Sequence, residues 1–305
     1  MAAIELYRSS VQTWETDGMG HMNVQFYSEK ATSALSSLSL ALGHGRALQT
    51  DSHLRMMIKD HHIRFLREQR PGAPIYIRGG VVRVEGERLI CFFEMLNTVS
   101  QEVAATFLTE AVFVDTRSGE ECPVPPHVTK QIADVQVEVP TYGAPRGLVR
   151  HAPRPAPCLR DAETMKLIQT FKGEVLPDWC DVTGRLATRR YMGIVSDSIP
   201  NLLAQTRGDD RSKDSKVGGA ALEYRFVYRE APVAGDVLVL RSGLKDVNDK
   251  TYTWAHWLFN AETGACVATA EAVAIALDLV ARKSIPIPRE MKAHLSSFVV
   301  DGLGV

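Results

Sequence analysis

The chain has 305 residues, enough for one large domain or two of ordinary size, and either can bury a full core. Lys and Arg number 35 against 36 Asp and Glu, a net charge of -1, so no global field draws the chain to nucleic acid or to an anionic membrane. Hydrophobic residues make up 45% and charged residues 23%, the balance of a soluble globular protein.

The opening stretch "MAAIELYRSSVQTWE" lacks the basic flank and apolar core of a secretory signal, and no apolar run is long enough to span a bilayer. Cys91, Cys122, Cys158, Cys180 and Cys266 are odd in number and form no CxxC pair. That usage fits a reduced chain without a disulfide framework or zinc site, and a cytoplasmic location is the expectation.

A short first strand leads into "TDGMGHMNVQFY", Thr16 to Tyr27, which places a carboxylate, two glycines, a histidine and an asparagine just ahead of an apolar-periodic segment. Tyr27, Ala31, Ala34, Leu35, Leu38 and Leu42 then recur at helical spacing, and Gly43 is a natural stop. Strand signals follow: "HHIRFLRE", "PIYIRGGVVRV", "RLICFFEML" and the long "EVAATFLTEAVFVD", with "NTVSQ" turning between the last two. His61 and His62 are adjacent, so on a strand they point to opposite faces and do not readily share one metal ion. Surface and sheet positions are expected for them.

Val139 to Asp161 is rich in proline and poor in apolar periodicity, the composition of an extended crossover linker. Its arginines, Arg146, Arg150, Arg154 and Arg160, are read as a solvated linker face, with contact to the phosphates of a ligand as the alternative. Beyond it, "EYRFVYRE", "VLVLRSGLKDV", "TYTWAHWLFN" and "CVATAEAVAIALD" repeat the strand signals, "EYRFVYRE" forming a pair with "HHIRFLRE", and "NAETGA" repeats the turn. Pro200 is expected to break or restart the second helix after Ser198. Trp14, Trp179, Trp254 and Trp257 are expected in the core or a pocket wall.

The two halves superpose. "TDGMGHMNVQFY" lies over "CDVTGRLATRRY", with Asp17 on Asp181, Gly20 on Gly184, Met22 on Leu186 and Tyr27 on Tyr191. In nearly the same register Gly72, Arg78, Gly80, Val84, Asn97 and Asp115 fall on Gly235, Arg241, Gly243, Val247, Asn260 and Asp278. Each copy is an α+β unit, one long helix laid across an antiparallel sheet. The expected division is 1-138 for the first copy, 139-172 for the Pro-rich linker and 173-305 for the second.

Thr16, Asp17, Gly20, His21, Met22 and Asn23, with Tyr27 on the helix, match the T-D-x-x-G-H-hydrophobic-N motif of the hotdog-fold thioesterases. The sequence resembles the 4-hydroxybenzoyl-CoA thioesterase type, and since both halves share the likeness, a tandem double hotdog is implied. The second motif departs from the pattern, with Arg185 for His21 and Ala187 for Asn23.

The resemblance implies an acyl-CoA thioesterase with Asp17 as nucleophile or general base and His21 and Asn23 supporting it. The N–H groups of Val24, Gln25, Phe26 and Tyr27 at the helix start would form the oxyanion hole. Such a site is physically sound, because a helix N-terminus offers unpaired donors and the positive end of a dipole to a developing oxyanion. Asp181 and Arg185 mark a possible second or vestigial site, with Asp181 read as a carboxylate tied to Arg185 or Arg190. The partner implied is a small-molecule acyl-CoA, with coenzyme A as part of the substrate. No metal or other cofactor, no nucleic acid and no membrane is implied, and homo-oligomers stay open. The alternatives are an acyl-ACP thioesterase and a non-catalytic acyl-CoA-binding or regulatory hotdog protein.

Overall fold

The computed structural model describes residues 3–45, 53–206, 216–281 and 283–305. The chain divides into two compact units, Met1–Pro145 and Arg146–Val305.

The first unit runs β1 (Ile4–Ser10), a 3-10 turn (Thr13–Glu15), α1 (Val24–Ala41), β2 (Leu54–Phe65), β3 (Pro74–Glu85), β4 (Arg88–Asn97), β5 (Val103–Asp115), β6 (Glu121–Cys122) and α2 (Pro126–Gln131). Its strands lie in the order β1-β3-β4-β5-β2, all antiparallel, with β6 added to β5. The second unit runs α3 (Leu159–Thr164), β7 (Ile168–Glu174), a 3-10 turn (Pro177–Trp179), α4 (Thr188–Thr206), β8 (Val217–Tyr228), β9 (Val237–Val247), β10 (Thr251–Asn260), β11 (Cys266–Asp278), β12 (Lys283–Ile285) and α5 (Arg289–Ser296). Its order, β7-β9-β10-β11-β8 with β12 on β11, is the same path. The duplication therefore reaches the strand topology.

Helix α1 forms where expected. Asn23 caps it by accepting from the Gln25 N–H at 3.0 Å, and Gly43 ends it in the left-handed region at φ +72°. Tyr27, Ala31, Ala34, Leu35 and Leu38 are its buried stripe, packed against β1, β2 and β3. Fully buried sheet residues such as Ile63, Ile77, Phe93 and Phe107 complete the core, each worth about 1.5–3 kcal/mol relative to exposure.

The matched polar residues outside the site are turn-makers. Asn97 Oδ1 accepts from the N–H groups of Val99 and Ser100, and Asn260 Oδ1 from those of Glu262 and Thr263. Asp115 and Asp278 bind two turn amides each in the same way.

Four expectations change. Pro200 does not break the second helix: α4 runs through it, because Tyr191, Ile194, Val195 and Leu202 bury one side along its length and packing outweighs the lost hydrogen bond. "HHIRFLRE" and "EYRFVYRE" are offset by one residue in the fold, since Phe65 opposite Ala105 corresponds to Tyr228 opposite Ala268. His61 and His62 are both fully buried on β2, not at the surface; among the described residues no His, Cys, Asp or Glu cluster can hold a metal. Trp254 and Trp257 are core residues as expected, but Trp14 is 73% exposed.

The Pro-rich stretch is folded rather than bare. It carries a 3-10 turn at Thr141–Gly143 and α3, and β7 begins at Ile168, within the segment assigned to it. The N–H groups of Gly147 and Leu148 bind the buried Glu223 carboxylate at 2.9 and 3.1 Å, joined by that of Arg146, and the buried Arg225 guanidinium donates to the Val149 and His151 carbonyls. Arg154 Nη1 donates to the Gly302 carbonyl at 2.7 Å. The Arg146 amide and the Arg154 guanidinium thus take part in a fitted strap held mainly by backbone groups, while Arg146, Arg154 and Arg160 are exposed.

Candidate active site

The loop from Thr16 to Asn23 is built from local rules. The 3-10 turn ends at Glu15, the chain turns back after Asp17, and the two limbs meet again before α1. Asp17 N–H donates to the His21 carbonyl at 2.9 Å, Gly20 N–H to the Asp17 carbonyl at 3.0 Å, and Asn23 N–H to the Glu15 carbonyl at 2.8 Å. Gly20 sits at φ +79°, where an L side chain is strained although space is open around it.

Asp17 is the residue on which this turn is built. Its Oδ1 accepts from the Met19 N–H at 2.9 Å, and His21 Nδ1 lies 3.5 Å from the same oxygen. These contacts all use Oδ1. The side chain is one-third exposed and His21 less so. On the other side of the imidazole, His21 Nε2 lies 3.5 Å from Glu68 Oε1. The imidazole therefore stands between two carboxylates.

Glu68 is the residue that sequence reading missed. With the halves shifted by one residue it lay over Glu230; in the folded register its counterpart is Ala231, whose carbonyl accepts from Arg185 Nη1 at 3.2 Å. Only the first copy therefore has an acid at this position.

The helix start is arranged as follows. Gln25 N–H is taken by Asn23 Oδ1, and Phe26 N–H donates to the Asn23 carbonyl at 3.0 Å. Tyr27, four residues past the cap carbonyl, is where intrahelical bonding begins. Among the described residues Val24 N–H, at the first position of α1, is given no partner by the cap or by the helix. Tyr27 is buried, its ring edge-on to Phe65 at 5.1 Å and its hydroxyl 3.5 Å from the Arg67 carbonyl. Burial raises its pKa, so it stays a neutral phenol and serves packing rather than base catalysis.

The second copy repeats the backbone hydrogen bonds of this loop. Asp181 N–H donates to Arg185 O at 2.7 Å, Gly184 N–H to Asp181 O at 2.9 Å, Ala187 N–H to Trp179 O at 2.9 Å, and Gly184 has φ +75°. Asp181 Oδ1 accepts from both the N–H and the hydroxyl of Thr183. Tyr191 OH donates to the Glu230 carbonyl and packs edge-on to Tyr228. Arg190 lies over Trp179 and pairs with Asp178 at 3.6 Å. What differs is chemical: Arg185, Ala187 and Ala231 stand where the first copy has His21, Asn23 and Glu68.

A helix wrapped by an antiparallel sheet, present twice with an Asp-bearing loop at each helix start, is the tandem hotdog of acyl thioesterases. The family model of the thioesterase-like superfamily matches residues 11–132 and again 175–295, and the chain belongs to that superfamily. It is a thioester hydrolase by class. No match is found among curated proteins.

Solved structures share the fold at low identity. A protein from Lactobacillus plantarum described as an oleoyl thioesterase is 12% identical, with a TM-score of 0.68 over 90% of this chain and 97% of its own. The 12:0-ACP thioesterase from Umbellularia californica is 12% identical, with a TM-score of 0.65 over 90% of this chain and 94% of its own. An acyl-ACP thioesterase from Bacteroides thetaiotaomicron is 11% identical, with a TM-score of 0.64 over 88% and 96%. Among the described residues no helix is long and apolar enough to cross a membrane.

Proposed function

We propose that the chain hydrolyses acyl-CoA thioesters at the Asp17 loop. The observation that carries the reading is the asymmetry between two otherwise matching loops: only the first places an imidazole between Asp17 and a second carboxylate.

In this reading Asp17 Oδ2 takes a proton from water as the water oxygen bonds to the thioester carbonyl carbon. The negative charge that gathers on the carbonyl oxygen is met by the Val24 N–H and the positive end of α1; one such donor is typically worth about 3 kcal/mol of barrier. The intermediate collapses with cleavage of the C–S bond, and the departing thiolate receives the proton. The products are a free acid and coenzyme A. If Asp17 attacks the carbonyl itself, the same loop serves, with a mixed anhydride that water then opens. His21 orients Asp17 and shares its proton, and Glu68 holds the imidazole in place. Asp181 is structural in this scheme. No cofactor beyond the coenzyme A of the substrate is called for, and the five free cysteines suit a cytoplasmic setting.

Acyl carrier protein is the second carrier to consider, since two of the fold neighbours spanning both units are acyl-ACP thioesterases. Free-thiol release from a panel of acyl-CoA and acyl-ACP substrates separates the readings. Turnover of acyl-CoA supports the proposal, preference for acyl-ACP moves it to the second carrier, and binding without turnover of either makes the chain a non-catalytic module.

A further inference from the structure

We infer that the buried Glu15–Lys30 ion pair is a positioning device for Asp17, present in the first copy because that copy does the chemistry. This rests on the reading of Asp17 given above.

Lys30 Nζ lies 2.6 Å from Glu15 Oε1, with Lys30 2% and Glu15 5% exposed. The ammonium also sits 5.8 Å from the centre of the Tyr7 ring on β1. Glu15 Oε2 accepts from the Gln12 N–H at 3.0 Å, so both carboxylate oxygens are engaged. Glu15 is also where the loop closes, because its carbonyl accepts the Asn23 N–H. One residue therefore ties the loop base to the cap through its backbone and to the second turn of α1 through its side chain. Asp17 follows it by two residues.

The second copy serves as an internal control. Trp179 and Ile194 occupy the positions of Glu15 and Lys30. The loop there closes through the same backbone bond, Ala187 N–H to Trp179 O, with no charges at the two equivalent positions; the ion pair beside it, Asp178 with Arg190, is solvent-exposed on the aspartate side. Trp179 instead carries the Arg190 guanidinium on its ring at 5.1 Å, and Ile194 is buried at 2%. The fold of the loop consequently does not need the pair. Buried ion pairs are weak sources of stability, since desolvation offsets much of their attraction and apolar replacements are often neutral or better. What such a pair supplies is directional: two charges in a low-dielectric site accept one geometry and resist its loss. A general base or nucleophile beside a helix N-terminus depends on that kind of constraint, because displacement by about 1 Å can cost on the order of a hundredfold in rate.

The test uses the full chain with Glu15→Gln combined with Lys30→Met, which removes both charges without stranding either, and Glu15→Gln alone, which keeps the shape and the Gln12 contact. Steady-state kinetics on an acyl-CoA substrate are read with thermal unfolding, and Asp17→Asn serves as the reference for lost chemistry. The expected result is a fall in kcat of roughly 10- to 100-fold for the double variant, with KM within about twofold and an unchanged Tm, and a smaller fall in kcat for Glu15→Gln, whose Tm should drop because the buried Lys30 ammonium is left without its partner. Lys30→Arg, which keeps the charge, should recover part of the loss. If Asp17→Asn abolishes turnover while both Glu15 variants keep wild-type kcat, the pair is not a positioning device. If kcat per folded molecule is unchanged and only Tm falls, its role is purely structural and the inference is wrong. If Asp17→Asn itself retains full turnover, the functional reading fails first and this inference falls with it.

Discussion

His21 Nδ1 stands 3.5 Å from Asp17 Oδ1, and the second copy, with the same backbone loop, has Arg185 in its place with its guanidinium bonded to the Ala231 carbonyl. A shared turn explains why both copies keep the aspartate and the glycine. It does not explain the histidine, which marks the loop where a carboxylate is given a proton partner.

That relationship sets the first prediction. His21→Ala and Glu68→Gln should each lower kcat about tenfold, and the double variant should lose much less than the product, because both act through the same imidazole. Full additivity in a double-mutant cycle of kcat/KM would separate Glu68 from the site.

Asn23 supports a stability prediction with its own control. Asn23→Ala removes the cap on the Gln25 N–H and should cost about 1 kcal/mol, lowering Tm by roughly 2–4 °C in a chain of this size. The reverse change at the equivalent position, Ala187→Asn, should raise stability by a similar amount if it caps α4. Thermal unfolding of the two variants gives the answer, and equal effects of the same sign would contradict the cap assignment.

Two fully buried histidines predict a pH dependence of stability. Burial lowers the pKa of His61 to about 3 and that of His256 to about 3. His61 Nδ1 is 2.9 Å from Thr109 Oγ1, and His256 Nδ1 is 2.9 Å from Ser242 Oγ. Both folded-state values lie below the ordinary histidine value of 6.5, so the unfolded chain binds protons first as pH falls. Stability should be held above about pH 6.5 and lost from there down toward pH 3, each histidine adding a slope of about 1.4 kcal/mol per pH unit. Urea unfolding at pH 7, 6 and 5 should show this slope, and His256→Gln should reduce it. An identical slope in the variant would contradict the assignment for His256.

Much of this architecture was legible because the same physical requirements recur twice. Apolar spacing marks α1, Gly43 its end, and Asn97 and Asn260 head the turns "NTVSQ" and "NAETGA", since each solves a local backbone problem that residue type alone reports; the turn role of Asp115 and Asp278 shows only in the fold. What sequence could not show depended on contacts across the fold. Glu68 carries no local signal, and only the strand registers within each unit show that its counterpart is Ala231 and not Glu230. Glu15 and Lys30 lie 15 positions apart, with no spacing rule that joins a turn to the second turn of a helix. Trp14 was expected inside because tryptophan usually is, whereas the 3-10 turn carrying it leaves the ring outside. Pro200 was read by its local cost, and the packing of α4 outweighed it.

The central claim is that one of two matching loops does the chemistry, and paired isosteric variants test it most directly. Asp17→Asn and Asp181→Asn each keep an acceptor for the turn amide, so both loops should survive. Free-thiol release from a turned-over acyl-CoA substrate should fall by at least about a hundredfold for Asp17→Asn and stay near wild type for Asp181→Asn. Loss of turnover in Asp181→Asn with Asp17→Asn unaffected would place the chemistry in the other copy and contradict the account.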